Sequence, residues 1–375
     1  MPHLQNGAWL PKVCRQFRGM NDERLQRWVA MTELEGLGPA GVARAVEAHG
    51  GLDAAWERQR RARPEAEDAL LRAGAILKAV ESLHGRSLSW ESPHYPSLLA
   101  EFRTAPPVLH VKGALGFGDQ PCVAVVGTRR CTTDGAAAAF RLGQLLARSG
   151  AVVVSGLARG IDVAAMKGAL VEGGRVVAVF AHGLDRVHPP SHAAVAQAIL
   201  DHGGAWWTEF APGVPPEPWR FAWRNRIAVG ASRALVMVQS PGRGGAMISV
   251  RWALEEGREL FVFAPGGASR TWEGNRRLLA ALPQAEVSTP EDVLLRLHVQ
   301  PEQAPARSDS TLPGRLQQAY QIVLMRDGAD AEAVASTLDI SSTEARTRLL
   351  LLELWGYVRR TPGDWYVARI TGIDR

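Results

Sequence analysis

The sequence predicts an α/β protein: a central domain built on a parallel sheet with helices on both faces, a helical domain before it and a winged helix after it. Three observations carry that expectation. Short apolar runs alternate with helical patterns between residues 122 and 297, residues 22–84 show helical periodicity without strand-like alternation, and a last helical triplet is closed by two short β-type segments. Alternation of this kind indicates parallel strands joined by helical crossovers.

Residues 20–88 read as a helical domain of the SAM or helix-hairpin-helix kind, with the helices DERLQRWVAMTEL, PAGVARAVEAHG, DAAWERQRRARP and EAEDALLRAGAILKAVESLHG. The turn Glu35-Gly36-Leu37-Gly38-Pro39 has two readings. It is either a glycine-apolar-glycine hairpin that presents backbone N–H groups to a DNA phosphate, or a tight turn in which Gly38 ends one helix and Pro39 opens the next. The segment WESPHYPSLLAEFRTAPPVLHVKG is a proline-punctuated connector that ends in a short strand.

The central domain, residues 89–298, contains the runs VAVV, VVVS, VVAVF, AWWTE, ALVMV and LFVFA, each followed by a glycine- or proline-rich loop and a helical pattern. This is a Rossmann-like arrangement, in which ligands sit at the carboxyl ends of the strands near the switch in strand order. Residues 299–313 are polar and proline-bearing and form a linker. Residues 314–370 give three helices and a two-stranded ribbon, with residues 341–355 at the recognition-helix position and the wing tip at 361–364. Arg346 and Arg348 suit a DNA groove, while the leucines at 349–352 suit a core. DNA contact and a structural role both stay open for this domain.

Composition excludes several classes. The chain has 375 residues, 46% of them hydrophobic, and a formal net charge of +5. Its only lysines are Lys12, Lys78, Lys112 and Lys167, so arginine carries nearly all the positive charge. Arginine binds phosphate bidentately and stacks on bases, although a GC-rich genome gives the same bias, and only local clustering discriminates. Cys14, Cys122 and Cys131 are scattered without a CxxC, which indicates neither a zinc site nor a disulfide framework. No uninterrupted apolar stretch reaches the ~20 residues needed to span a bilayer, and the N-terminus lacks a signal-type apolar core. A cytoplasmic protein with no membrane partner is expected.

Two loops are built to hold phosphate. After the first strand comes Gly127-Thr128-Arg129-Arg130, and after the second Ser155-Gly156-Leu157-Ala158-Arg159-Gly160. Glycine lets the backbone approach an anion, and the helix that follows offers unpaired N–H groups at its positive end. Further on, Phe221-Ala-Trp223-Arg224-Asn225-Arg226 gathers aromatics and arginines, which fits a chain of phosphates and bases better than one small nucleotide. Single-stranded nucleic acid is therefore the expected partner.

Enzyme signatures do not emerge. The G-x-G-x-x-G spacing, the P-loop, H-E-x-x-H and G-x-S-x-G are absent, and no cofactor is implied. His182, His188 and His192 have spacings that fix no tetrahedral metal site and read as surface-loop histidines. Asp162 reads as a helix N-terminal carboxylate, and Glu209 has no assignable partner. The rival reading is a nucleotide-processing enzyme of the phosphoribohydrolase type; Pro265-Gly266-Gly267 begins the expected signature but lacks its later glycine-threonine.

The segments VVGTRRCTTDG, SGLARGIDVAAMKGALVEGG, GLDRVHPP, TEFAPG, RFAWRNRIAVGASRALVMVQS, GAMISVRWALEEGRELFVFAPG and EGNRRLL resemble, in order, the DNA-processing protein A (Smf) family. The chain differs from that pattern at Met166, Gln239, Gly244-Gly245 and Ser249. The resemblance implies a non-enzymatic homodimer that binds single-stranded DNA taken up in natural transformation, protects it and loads the RecA recombinase. It places one phosphate seat at Gly127, Thr128 and Arg129, and a second on backbone N–H groups at Ser155, Gly156, Ala158 and Gly160. Lys167 adds a phosphate contact, Arg224 and Arg226 bracket the pocket, Asn225 holds the loop, and Phe221 or Trp223 stacks a base. Residues 242–245 and 266–274 would form further rims.

Overall fold

The computed structural model describes residues 22–298, 314–326, 328–354, 357–361 and 363–368; the expected linker lies outside them. The described residues open with four helices, α1 (Asp22–Glu33), α2 (Pro39–Ala48), α3 (Leu52–Ala62) and α4 (Ala66–Ser82). In the first interhelical turn Gly36, not Gly38, takes the left-handed backbone at φ 73°, and Gly38 is the extended residue before Pro39 at the start of α2. Strand β1 (Gly85–Ser89) falls across the expected domain boundary and belongs to the sheet.

The central part continues as α5 (Ser97–Ala100), β2 (Val108–Gly113), β3 (Cys122–Val126), α6 (Thr133–Arg148), β4 (Val152–Ser155), α7 (Ile161–Val171), β5 (Val176–Val179), α8 (Ala193–Asp201) and β6 (Ala205–Thr208). It is completed by α9 (Pro218–Gly230), β7 (Ala234–Met237), α10 (Gly245–Glu255), β8 (Glu259–Phe263), α11 (Glu273–Ala281), β9 (Glu286–Val287) and α12 (Pro290–Leu297). The six runs read from the sequence form six consecutive strands of the sheet, β3 to β8.

The nine strands lie in the order β1-β2-β6-β5-β4-β3-β7-β8-β9. From β6 to β9 all neighbours are parallel, while β2 pairs antiparallel with both β6 and β1. The chain winds outward from β3 through β4, β5 and β6, then returns to lay β7 on the other side of β3. That reversal leaves a crevice above the carboxyl ends of β3 and β7, where the loops diverge.

Alternate residues on each strand feed two cores. Val123, Val125, Val153 and Ala178 pack on one face with α6, α7 and α8; Ala124, Val126, Val154 and Val179 pack on the other with α9, α10 and the N-terminal helices. Helices α6 and α7 cross in close contact because Gly143 and Gly168 each face the partner helix's backbone, at Ala165 and Phe140 respectively, in space no β-carbon could share.

Three further helices, α13 (Gly314–Met325), α14 (Ala331–Leu338) and α15 (Ser342–Leu354), precede an antiparallel ribbon of β10 (Val358–Thr361) and β11 (Trp365–Ala368). Helix α15 packs on α7 and α8, and Leu349, Leu351 and Leu352 are buried. The helix expected at a groove-reading position therefore leans on the central domain. Arg348 is spent on Glu344 and on the Arg315 carbonyl, whereas Arg346 stays exposed.

Candidate nucleic-acid interface

A cavity of about 440 Å³ opens in the crevice at the switch point. Its walls are the loops leaving β3, β4 and β7 and one face of α9. Nine of the twelve residues singled out from the sequence line it: Gly127, Thr128 and Arg129, then Ser155, Gly156 and Ala158, then Phe221, Arg224 and Asn225.

The first loop is pinned to its neighbours. The Thr128 N–H donates to the Gln239 carbonyl at 2.7 Å, and the Gln239 side chain accepts from the Thr132 N–H at 2.9 Å while donating to Thr271 Oγ1 at 2.8 Å. Thr132 caps α6 by accepting from the Gly135 N–H. Arg129 and Arg130 are left exposed on this frame, and the Arg129 guanidinium sits 5.1 Å from the centre of the Phe221 ring.

The second loop departs from the expectation. Its Gly156 N–H donates to Asp162 Oδ2 at 3.2 Å, and the Ser155 hydroxyl donates to the Val125 carbonyl at 2.6 Å. An internal carboxylate thus occupies the nest that an incoming phosphate was expected to fill. Asp162 is buried, which pushes its pKa up, while Arg224 and the Gly156 N–H pull it back. Gly160 does not face the cavity. It caps α7 at φ 79° beneath the Thr128 carbonyl, where a side chain would collide with the first loop.

The RFAWRNR segment is helical, and this decides which of its side chains reach the cavity. Phe221, Arg224, Asn225 and Ala228 recur at helical spacing and line the pocket. Asn225 Nδ2 donates to the Gly245 carbonyl at 3.1 Å, tying α9 to the start of α10. Arg226, expected as the second bracket, points the other way. It is fully buried and bonded to Glu209 Oε2 at 2.5 Å, with the Trp223 ring 4.3 Å from its guanidinium carbon. Trp223 packs between Arg226 and Trp252 and does not reach the pocket. Burial lowers the Arg226 pKa and raises that of Glu209, and each partner's charge opposes the other's shift.

Arg224 is the unusual group. It is 3% exposed, yet among the described residues no carboxylate lies within ion-pair distance, and its Nε has no hydrogen-bond partner. Burial pushes its pKa down to about 10, Arg129 pushes the same way, and Asp162 opposes. The guanidinium stays charged at neutral pH and wants an anion. Arg243, from the loop after β7, lines the same cavity. The rim expected there is thus present at 243–245, but residues 266–274 do not line the pocket.

Lys167 is also displaced. It lies on α7 outside the pocket lining, where its charge acts on His192. Of the three histidines, His188 is exposed as expected, whereas His182 and His192 are drawn into the fold. His182 is 1% exposed with a pKa pushed down to about 4 by burial, and His192 bonds the Leu157 carbonyl through Nδ1 at 2.8 Å. Rings step from Phe180 to His182 at 4.8 Å, to His188 at 6.4 Å and to Phe221 at 5.5 Å, so the histidines join the strand β5 core to the pocket wall. Among the described residues no group of three or more metal-ligating side chains gathers, and no helix is long and apolar enough to cross a membrane.

Comparison with known proteins agrees with this architecture. The chain is 33% identical to the Escherichia coli protein Smf over 292 residues, 74% of this chain and 76% of that protein. It is 38% identical to the DNA processing protein DprA of Streptococcus pneumoniae over 172 residues, 46% of this chain and 60% of that one. The solved structure of the S. pneumoniae DNA processing protein A superposes with a TM-score of 0.56 at 27% identity, covering 78% of this chain and 98% of that chain. The Helicobacter pylori DNA processing protein A, described for its single-stranded DNA binding mode, superposes at 0.51 with 27% identity, over 57% and 95%. The model of one family, DNA recombination-mediator protein A, matches residues 86–298, more than half the chain, which therefore belongs to that family.

Proposed function

We propose that this chain binds single-stranded DNA at the switch-point pocket, as a binding protein and not an enzyme, during the processing of DNA taken up in transformation. The observation that carries the reading is the buried Arg224, a charge that has no hydrogen-bonded counter-ion among the described residues, on the floor of a cavity whose mouth bears Arg129, Arg130 and Arg243. A phosphodiester supplies that counter-ion, the arginines supply charge along a backbone, and Phe221 under Arg129 offers a ring to a base. Family membership and the H. pylori relative's single-stranded DNA binding support the same partner. The pocket's serines favour binding over chemistry, since the Ser155 and Ser240 hydroxyls donate to the backbone carbonyls of Val125 and Pro241.

Loading of RecA on the bound strand and a homodimer that places two pockets on one strand complete the proposal, on family grounds. The nucleotide-processing alternative predicts release of a base from a nucleoside monophosphate. Fluorescence anisotropy with an oligothymidylate, its duplex and a competing mononucleotide, all at one salt concentration, separates the readings. We expect preference for the single strand; equal affinity for mononucleotide and oligomer would overturn it.

A further inference from the structure

Beyond the pocket, α9 begins with an aromatic group that the pocket does not use. Trp219 is 56% exposed, among the most exposed large apolar side chains of the described residues. It is nevertheless held. Its Nε1 donates to Glu217 Oε2 at 2.6 Å, and its ring meets that of Phe210 edge to face, with centres 6.3 Å apart at 87°. The Arg220 guanidinium carbon stands 5.1 Å from the Trp219 ring centre and 5.4 Å from that of Phe210. Arg220 is itself fixed by the Pro215 carbonyl and by Glu217, so the carboxylate is spent on its two neighbours.

We infer that Trp219, with Phe210 and Arg220, is a second base platform for the same single strand, on the far side of the N-terminal end of α9 from the pocket. The inference rests on the reading of the pocket as a single-stranded DNA site. Three features point to this occupant. The shelf repeats the pairing of arginine over aromatic found at Arg129 and Phe221. It is continuous with the pocket, because Pro218 lines the cavity and Trp219 is the next residue. Two residues apart at a helix start, Phe221 and Trp219 lie on opposite flanks of α9, so a strand touching both crosses the helix's N-terminal end, the positive end of its dipole. An indole already immobilised before binding loses little freedom when a base stacks on it.

The test uses the full chain and its Trp219→Ala, Trp219→Phe and Arg224→Ala variants, titrated by anisotropy with an oligothymidylate of about 30 nucleotides and with an abasic strand of the same length. Trp219→Ala should weaken binding of the oligothymidylate about tenfold and leave the abasic strand unchanged, and Trp219→Phe should restore most of the loss. An unchanged oligothymidylate affinity in Trp219→Ala, which is also the outcome if the shelf receives a protein, overturns the platform. So does an equal loss on both strands, which would mark a structural role. Arg224→Ala reports separately: if it binds both strands as the parent does, the pocket reading itself fails.

Discussion

The guanidinium of Arg224 lies against the α-carbon of Gly156, in the space that a β-carbon at that position would occupy. The glycine of the second loop is therefore needed to leave room for an arginine. Gly156→Ala should push the guanidinium off the pocket floor and lower affinity for single-stranded DNA, while the far-ultraviolet circular dichroism stays that of the parent. Undiminished affinity in that variant would show that Arg224 binds no phosphate from its present place.

Arg224 and Arg226 should respond oppositely. Arg226→Ala leaves Glu209 buried without its counter-charge and should cost about 3–5 kcal/mol in urea unfolding. Arg224→Ala vacates space beside an open cavity, through which water can reach Asp162, and should cost less than half as much while removing most of the binding. Equal destabilisation by the two would contradict the assignment of one to the frame and the other to the site.

Arg129 is exposed at the mouth and should act through charge. Its replacement by alanine is expected to reduce the slope of log affinity against log salt by ~0.7, the single-strand value for one phosphate contact. Arg359, on the ribbon, should leave that slope unchanged when replaced.

His182 makes stability depend on pH. In the folded chain burial holds its pKa near 4 against an ordinary 6.5, with His188 and Arg224 pushing it down further and the Gly183 carbonyl and Asp185 pulling it up. The unfolded chain binds the proton first as pH falls, so the stabilisation present above pH 6.5 is lost progressively down to about pH 4, by as much as ~3 kcal/mol. His110, also buried and lowered to about 4, adds in the same direction. Melting temperatures taken across that range should fall; a flat profile would refute the burial argument.

Removing residues 314–375 should lower the melting temperature, because α7 and α8 lose the helix α15 that covers them. Single-stranded DNA binding below the new transition should persist, since no residue of the cavity lies in the removed part. A binding loss above tenfold at a temperature where the shortened chain is folded would show that the C-terminal helices share the site.

Much of this was legible in the sequence because the parallel strands are buried on both faces and read as unbroken apolar runs. The shorter β9 and the strand β1, with its Arg86 and Ser87, carry no such signal and emerge only from pairing with their neighbours. At the site, glycines and arginines located the loops, but direction was lost wherever a helix was read as a loop. Positions 224 and 226 are two apart, which on a helix turns their side chains about 200° from each other, so only one can face the pocket. Lys167 is legible as a helix residue, but five positions beyond Asp162 on α7 turn it about 140° away, outside the pocket lining. Asp162 itself was placed at the right helix terminus, while its hold on Gly156 depends on a loop path that no local pattern encodes.

The ion pair between Arg226 and Glu209 ties helix α9 to the end of β6. Because both charges sit inside, α9 is keyed to the end of β6 like a shaft to its hub: turning the helix by one residue would strand a guanidinium among apolar groups. Changing one of the two alone leaves a buried charge unpaired, whereas replacing both together by apolar groups of similar volume need not. A drifting lineage would hold the pair fixed or replace both together, and the orientation of Phe221, Arg224 and Asn225 would be inherited with them.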